Sequence, residues 1–310
     1  MLYVSTRDQT NTYTAHRALF EQQASDCGMF APFSLPKFTV EEISDLCART
    51  FCENIARILN LFFSAKLTGW DVDFCCGRYP VNIVSLPHKL ILAEAWHNTT
   101  GSYAQLERVL YNRLCGADAP ESISNWAKIA IRISLLFATY ALYVGDGEMI
   151  KLDVAVDDGD FVAPLAAWYA RRMGLPIDTI ICGCFESSSV WDLLHRGELN
   201  TVACKQNPGL EHIVYAALGQ EETVRFVSVC QNRKVYHLND DALSELNDRI
   251  FAAVTSAERI GNVISAFKRS NNYTLDRASA ISFGARQDFR AKLGENKPTL
   301  IFSLTKNTLN

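Results

Sequence analysis

An α/β fold, a parallel-rich sheet with flanking helices, is what this 310-residue sequence predicts, and three observations carry the prediction. Between about Glu148 and Leu194 the hydrophobic pattern alternates strand, helix, strand, helix. Each stretch is closed by turn-forming residues: Gly147, Asp157-Asp158-Gly159, Gly174 with Pro176, and Gly197. Upstream, residues 122–144 repeat apolar side chains at helical spacing, as a core helix does. Strands that alternate with helices of this length pair in parallel through right-handed crossovers.

Taken in order, residues 39–65 open with Thr39 three residues before Glu42, a capping-box signature. They continue with Ile43, Leu46, Ile55, Ile58, Leu59 and Phe62 on one face, predicting an amphipathic helix or a pair of them. Trp126, Ile129, Ile133, Leu136, Phe137 and Tyr140 predict a largely buried helix from about Ser122 to Val144. MIKLDVAV reads as a strand, FVAPLAAWYARRMG as a helix, DTIICGC as a second strand and SSSVWDLLHRG as a helix with its N-cap among the serines. After Gly197 the pattern predicts a mixed segment and an acidic helix from Asp240 to Ala253. A further helix over Ala257 to Lys268 and a last strand at 299–304 complete it. The organisation expected is an N-terminal region at 1–86, mainly helical, and an α/β core at 87–310.

A hydrophobic content of 48% supplies a packed core, while a net charge of −4 leaves no basic excess for nucleic acid. No uninterrupted apolar run reaches the roughly 20 residues that cross a bilayer, and the first residues lack a basic segment followed by an apolar one. A cytoplasmic protein without membrane or nucleic-acid partners is expected. The ten cysteines, among them Cys47, Cys52, Cys182 and Cys230, show no CxxC pair and no metal-ligand spacing, so reduced core thiols and no metal are expected.

Several motifs resemble those of threonine synthases, which are fold type II pyridoxal-phosphate enzymes. Tyr3-Val4-Ser5-Thr6-Arg7, then Asp26-Cys27-Gly28-Met29-Phe30-Ala31-Pro32, is similar to that family's opening. Glu94-Ala95-Trp96-His97, followed by Thr100 and Tyr103-Ala104-Gln105, resembles the segment that carries the family's cofactor-binding lysine, and the lysine position falls on Ala104. Ser124-Asn125-Trp126-Ala127 and Met173-Gly174-Leu175-Pro176 continue the likeness, more weakly Tyr273 to Ile281. Asp158-Gly159-Asp160-Phe161 stands where the family has its phosphate loop.

The resemblance implies a large-domain scaffold from which the small mobile domain is largely deleted, since only a short stretch separates Ala104 from Ser124. It also implies a degenerate cofactor site at Gly159, Asp160 and Phe161. Three carboxylates crowd that loop and Val162 replaces a glycine, although Asp157 or Asp158 as a plain helix cap explains the same residues. Alanine offers no amine for a Schiff base, so the expectation is a catalytically degenerate protein with a binding, regulatory or interaction role and no cofactor. Loss of a domain uncovers apolar surface, so a homodimer or a protein partner is expected. Two alternatives stand beside it. One is a cofactor-free enzyme using His97 and Thr100 in the former substrate cleft, His97 being the candidate acid or base. The other is a pyridoxal-phosphate lyase acting on a small amino acid such as phosphohomoserine, with a substitute amine from Lys89, Lys128, Lys151, Lys205 or Lys306.

Overall fold

The computed structural model describes residues 1–77, 81–97, 101–159, 161–186, 188–199, 209–232, 235–294 and 297–306. The N-terminal region opens with a small antiparallel sheet, β1 (Leu2–Ser5) between β2 (Tyr13–Thr14) and β3 (Phe30–Pro32), with helix α1 (Ala15–Phe20) after β2. Three helices follow: α2 (Val40–Cys47), α3 (Phe51–Phe63) and α4 (Gly69–Cys76). The expected capping box forms at Thr39 and Glu42, and Thr50 with Glu53 and Thr68 with Asp71 repeat it. Each box satisfies backbone amides that a helix start leaves bare, which is why residues 39–65 break into two helices. The opening sheet was not legible because two- to four-residue strands carry too little period.

The core is a six-stranded sheet. Its strands are β4 (Asn82–Leu86), β5 (Leu90–Glu94), β6 (Leu152–Asp157), β7 (Ile177–Cys184), β10 (Ile250–Val254) and β11 (Thr299–Ser303), in the order β10-β7-β6-β11-β5-β4. All neighbours are parallel except the β4–β5 hairpin. Between β5 and β6 run α5 (Tyr103–Cys115) and α6 (Asn125–Val144); α7 (Val162–Arg172) links β6 to β7. Beyond β7 come α8 (Ser189–Arg196), a two-stranded ribbon of β8 (Glu198–Leu199) and β9 (Tyr236–His237), and α9 (Gly209–Gln231). Helices α10 (Asp240–Asn247), α11 (Ala257–Asn271) and α12 (Arg277–Leu293) complete the chain.

Alternation of side chains on each strand divides the interior into two layers. Leu152, Val154 and Val156 of β6 pack into the layer of α3, α6 and α7, while Ala155, Ile181 and Ile301 pack into the layer of α11 and α12. Helix α6, the one described helix long and apolar enough to cross a membrane, is instead the buried spine of the first layer.

Two expectations need correction. The acidic helix ends at Asn247, and Ile250–Val254 is an edge strand beside β7, because IFAAV needs only half-burial to pair and Asp248-Arg249 breaks the helix. Cys230 is disulfide-bonded rather than a reduced thiol; Cys27, Cys47, Cys52, Cys75, Cys76, Cys115, Cys182 and Cys184 are free.

Candidate functional site

The N-terminal motif is a set of clamps. The Tyr3 hydroxyl donates to the Phe62 carbonyl at 2.9 Å and accepts from the Trp126 indole at 2.9 Å, tying β1 to α3 and α6. Ser5 donates to Asp26 at 2.8 Å, and a side chain at Gly28 would collide with the Ser5 hydroxyl. Arg7 pairs with the buried Glu211 of α9 at 2.8 Å. These residues hold the scaffold and touch no cavity that lies over the sheet.

In an open α/β sheet a ligand cleft forms outside the carboxyl ends of the strands, where the strand order reverses. Here that edge carries two groups of residues. At the end of β5 the buried Glu94 carboxylate accepts from Asn82 Nδ2 at 2.8 Å and from the Tyr273 hydroxyl at 2.7 Å, and meets His97 Nε2 at 2.6 Å. Burial holds the Tyr273 hydroxyl far above its ordinary pKa, so it stays a donor. The half-exposed His97 ring stacks on Trp96 at 3.9 Å, and the exposed Lys306 ammonium lies 5.7 Å from the Trp96 ring on its own account. Asp276, the N-cap of α12, ties this end of the sheet to β11, accepting from the Ser303 hydroxyl and the Leu304 amide at 2.9 Å each.

Two strands away, at the end of β6, Gly159 is exposed, and a Cβ there would lie 2.8 Å from Asp157 Oδ2. Phe161 is buried and takes the left-handed conformation at φ 64°, forming the N-cap of α7 without a side-chain bond. The N-cap position of α7 falls on Phe161 rather than on Asp157 or Asp158. The Asp158 carboxylate lies near Ser188 and Phe185 of the next strand–helix junction, and burial raises its pKa. Ser188 in turn caps α8, as the serine run predicted. Thr100 and Asp160 lie outside the described residues, as does Lys205.

Between these groups, under the start of α5, lies a cavity of about 50 Å³ lined by Tyr103, Arg132, Leu136, Asp157, Phe302 and Leu304 among others. One water needs roughly 10–15 Å³, so the cavity holds a few waters. No lysine is among the described residues that line it. Arg132 donates to the buried Glu107 at 2.7 Å and stands 5.4 Å from the Tyr103 ring. Ala104 is exposed in the first turn of α5, whose N-cap is Ser102. Lys89, Lys151 and Lys306 are exposed and Lys128 is half-buried on α6. The structure thus brings His97, Gly159 and Phe161 to one edge. Sequence reasoning missed Tyr273 and Arg132 as site residues. The weak likeness around Tyr273 was the signal for the first; nothing local marked the second.

Residues 2–78 match the family model described as threonine synthase N terminus. The threonine synthase of Eremothecium gossypii is 30% identical over 107 residues, 34% of this chain and 20% of that protein. The threonine synthase of Saccharomyces cerevisiae is 21% identical over 178 residues, 56% of this chain and 31% of that protein. The chain therefore aligns with less than a third of either relative. Among solved structures, threonine synthase from yeast superposes with a TM-score of 0.80 at 14% identity, covering 98% of this chain and 87% of that one. The pyridoxal-phosphate-bound threonine synthase from Brucella melitensis gives 0.78 at 16% identity, covering 99% and 89%. These structures share the α/β fold of this chain. The likeness to threonine synthases thus rests on residues 2–78 and on sequence relatives matched over part of their length, and the solved structures extend it in fold alone.

Proposed function

We propose that this chain is a catalytically degenerate threonine synthase homologue that acts as a binding or interaction protein and carries no pyridoxal phosphate. The observation behind this reading is Ala104, which stands at the position matching the lysine motif and has no amine to offer. Two features support it. No lysine is among the described residues that line the cavity beside α5, and the carboxylates Asp157 and Asp158 stand at the strand–helix junction where an anion would bind. An absorbance titration of the purified protein with pyridoxal phosphate, followed by borohydride reduction, tests the reading. The expected outcome is no saturable, reducible band. A reducible adduct mapped to a lysine such as Lys306 would refute it and restore lyase chemistry on a small amino acid.

Self-association belongs to the same proposal. Trp70 and Phe74 of α4 stack at 5.6 Å while 71% and 76% exposed, and Trp70 shares a cleft with the half-exposed Leu142. An apolar patch of this kind suits a dimer contact. Sedimentation showing a monomer at every concentration would remove the dimer.

One observation favours a second reading, a cofactor-free enzyme. The Tyr273–Glu94–His97 chain orients an accessible imidazole against a buried carboxylate, an arrangement able to move a proton. A turnover found in a substrate screen and abolished by His97→Ala would favour it over a binding role.

A further inference from the structure

A second cleft lies away from the sheet edge, between the loop after β3, the end of α7 and the middle of α9. Its volume is about 290 Å³, at the small end of the roughly 300–1,000 Å³ usual for ligand sites. One wall is apolar, made by Pro32, Phe33 and Leu35. The lining also includes the polar side chains of Arg172, Tyr169, Tyr215 and Gln9. No carboxylate is among the described residues that line the cleft.

Three features give these polar side chains an unmet demand for an acceptor. Arg172 donates to the Ala216 carbonyl at 2.6 Å and has no ion-pair partner among the described residues, so its charge is uncompensated. The Tyr169 hydroxyl is buried without a hydrogen-bond partner, and its environment includes Arg172 and Tyr215. A buried hydroxyl left unpaired costs free energy that an acceptor would recover. The Tyr215 hydroxyl accepts from Gln9 Nε2 at 2.9 Å, which leaves its own hydrogen to donate. Backbone shape contributes as well. Gly219, at φ 84° and ψ −175°, breaks α9 into two pieces here, and this opens the wall beside Ala216 and Ala217. Nothing meets a would-be Cβ at Gly219, so the glycine serves the kink rather than a close approach.

We infer that this cleft binds a small organic monoanion, a carboxylate with an apolar or aromatic body. The carboxylate would sit against Arg172 with the Tyr215 and Tyr169 hydroxyls, and the body against Pro32, Phe33 and Leu35. Arginine offers paired donors that match a carboxylate, and the described lining holds no acidic side chain to repel one. The site is separate from the edge that carries His97 and Ala104, so the inference stands whether or not the proposed loss of catalysis is correct.

Calorimetric titration of the full chain with sodium benzoate, with benzamide as its uncharged counterpart, tests it. Saturable 1:1 binding of benzoate is expected, at least tenfold tighter than benzamide. Arg172→Gln should weaken it tenfold or more. Tyr169→Phe, which removes only the unpaired hydroxyl and keeps the ring, should weaken it about threefold with no loss of thermal stability, and so separates binding from folding. Absence of saturation by benzoate, equal binding of benzamide, or unchanged affinity in a folded Arg172→Gln protein would each overturn the inference.

Discussion

At the scale of single residues, most side chains that carry the family likeness bear structural tension rather than chemistry. His212 of α9 is an example that no motif announced. It is buried beside Trp126, both ring nitrogens lack partners, and burial lowers its pKa to about 3. The unfolded chain binds this proton near pH 6.5 and the folded one does not, so stability is full above pH 6.5 and falls as pH drops toward about 3. Between pH 7 and pH 5.5 this one group removes roughly 1 kcal/mol. Denaturant unfolding at the two values measures the loss, and His212→Leu should abolish that part of it. Glu94 and His97 were legible because they sit three residues apart in a recognisable segment. Their partner Tyr273 is 179 residues from Glu94, and only the fold brings the two together.

At the scale of elements, helix caps and one turn carry testable energy. Ser188 accepts the first amides of α8, from Val190 and Trp191. Ser188→Ala is expected to cost about 1 kcal/mol, read as a lower denaturation midpoint. Gly174 ends α7 at φ 108°, and a Cβ there would lie 2.5 Å from the Phe38 carbonyl oxygen. Gly174→Ala therefore combines a strained backbone with a clash, worth about 1–3 kcal/mol, and should lower the melting temperature by several degrees. The β6–α7–β7–α8 run was readable because each piece is apolar, of ordinary length and closed by Gly or Pro. Helices α9 and α12 were not, since the kink at Gly219 breaks the period of the first. The second buries polar residues such as Ser279, Ser282 and Arg286, which blurs its apolar face.

At the scale of the whole molecule, the fold class could be read from one βαβ unit, but the sheet order could not. The last strand reads as an ordinary apolar run, yet it sits between β6 and β5 at the centre of the sheet. Order is set by which strand fills the gap between two already crossed-over halves, a long-range fact absent from local spacing. Deleting residues 299–310 should accordingly leave an insoluble or unfolded chain by circular dichroism, whereas a protein closed by an edge strand would tolerate such a loss.

That central position also has a consequence for how the protein is made. Synthesis runs from the N-terminus, and domains generally fold as units during it. Until β11 has been made, β4 and β5 form one ribbon, β6, β7 and β10 another, and each presents an unpaired edge where β11 will sit. The nascent chain therefore carries two unpaired strand borders until β11 joins them, and such borders are templates for aggregation.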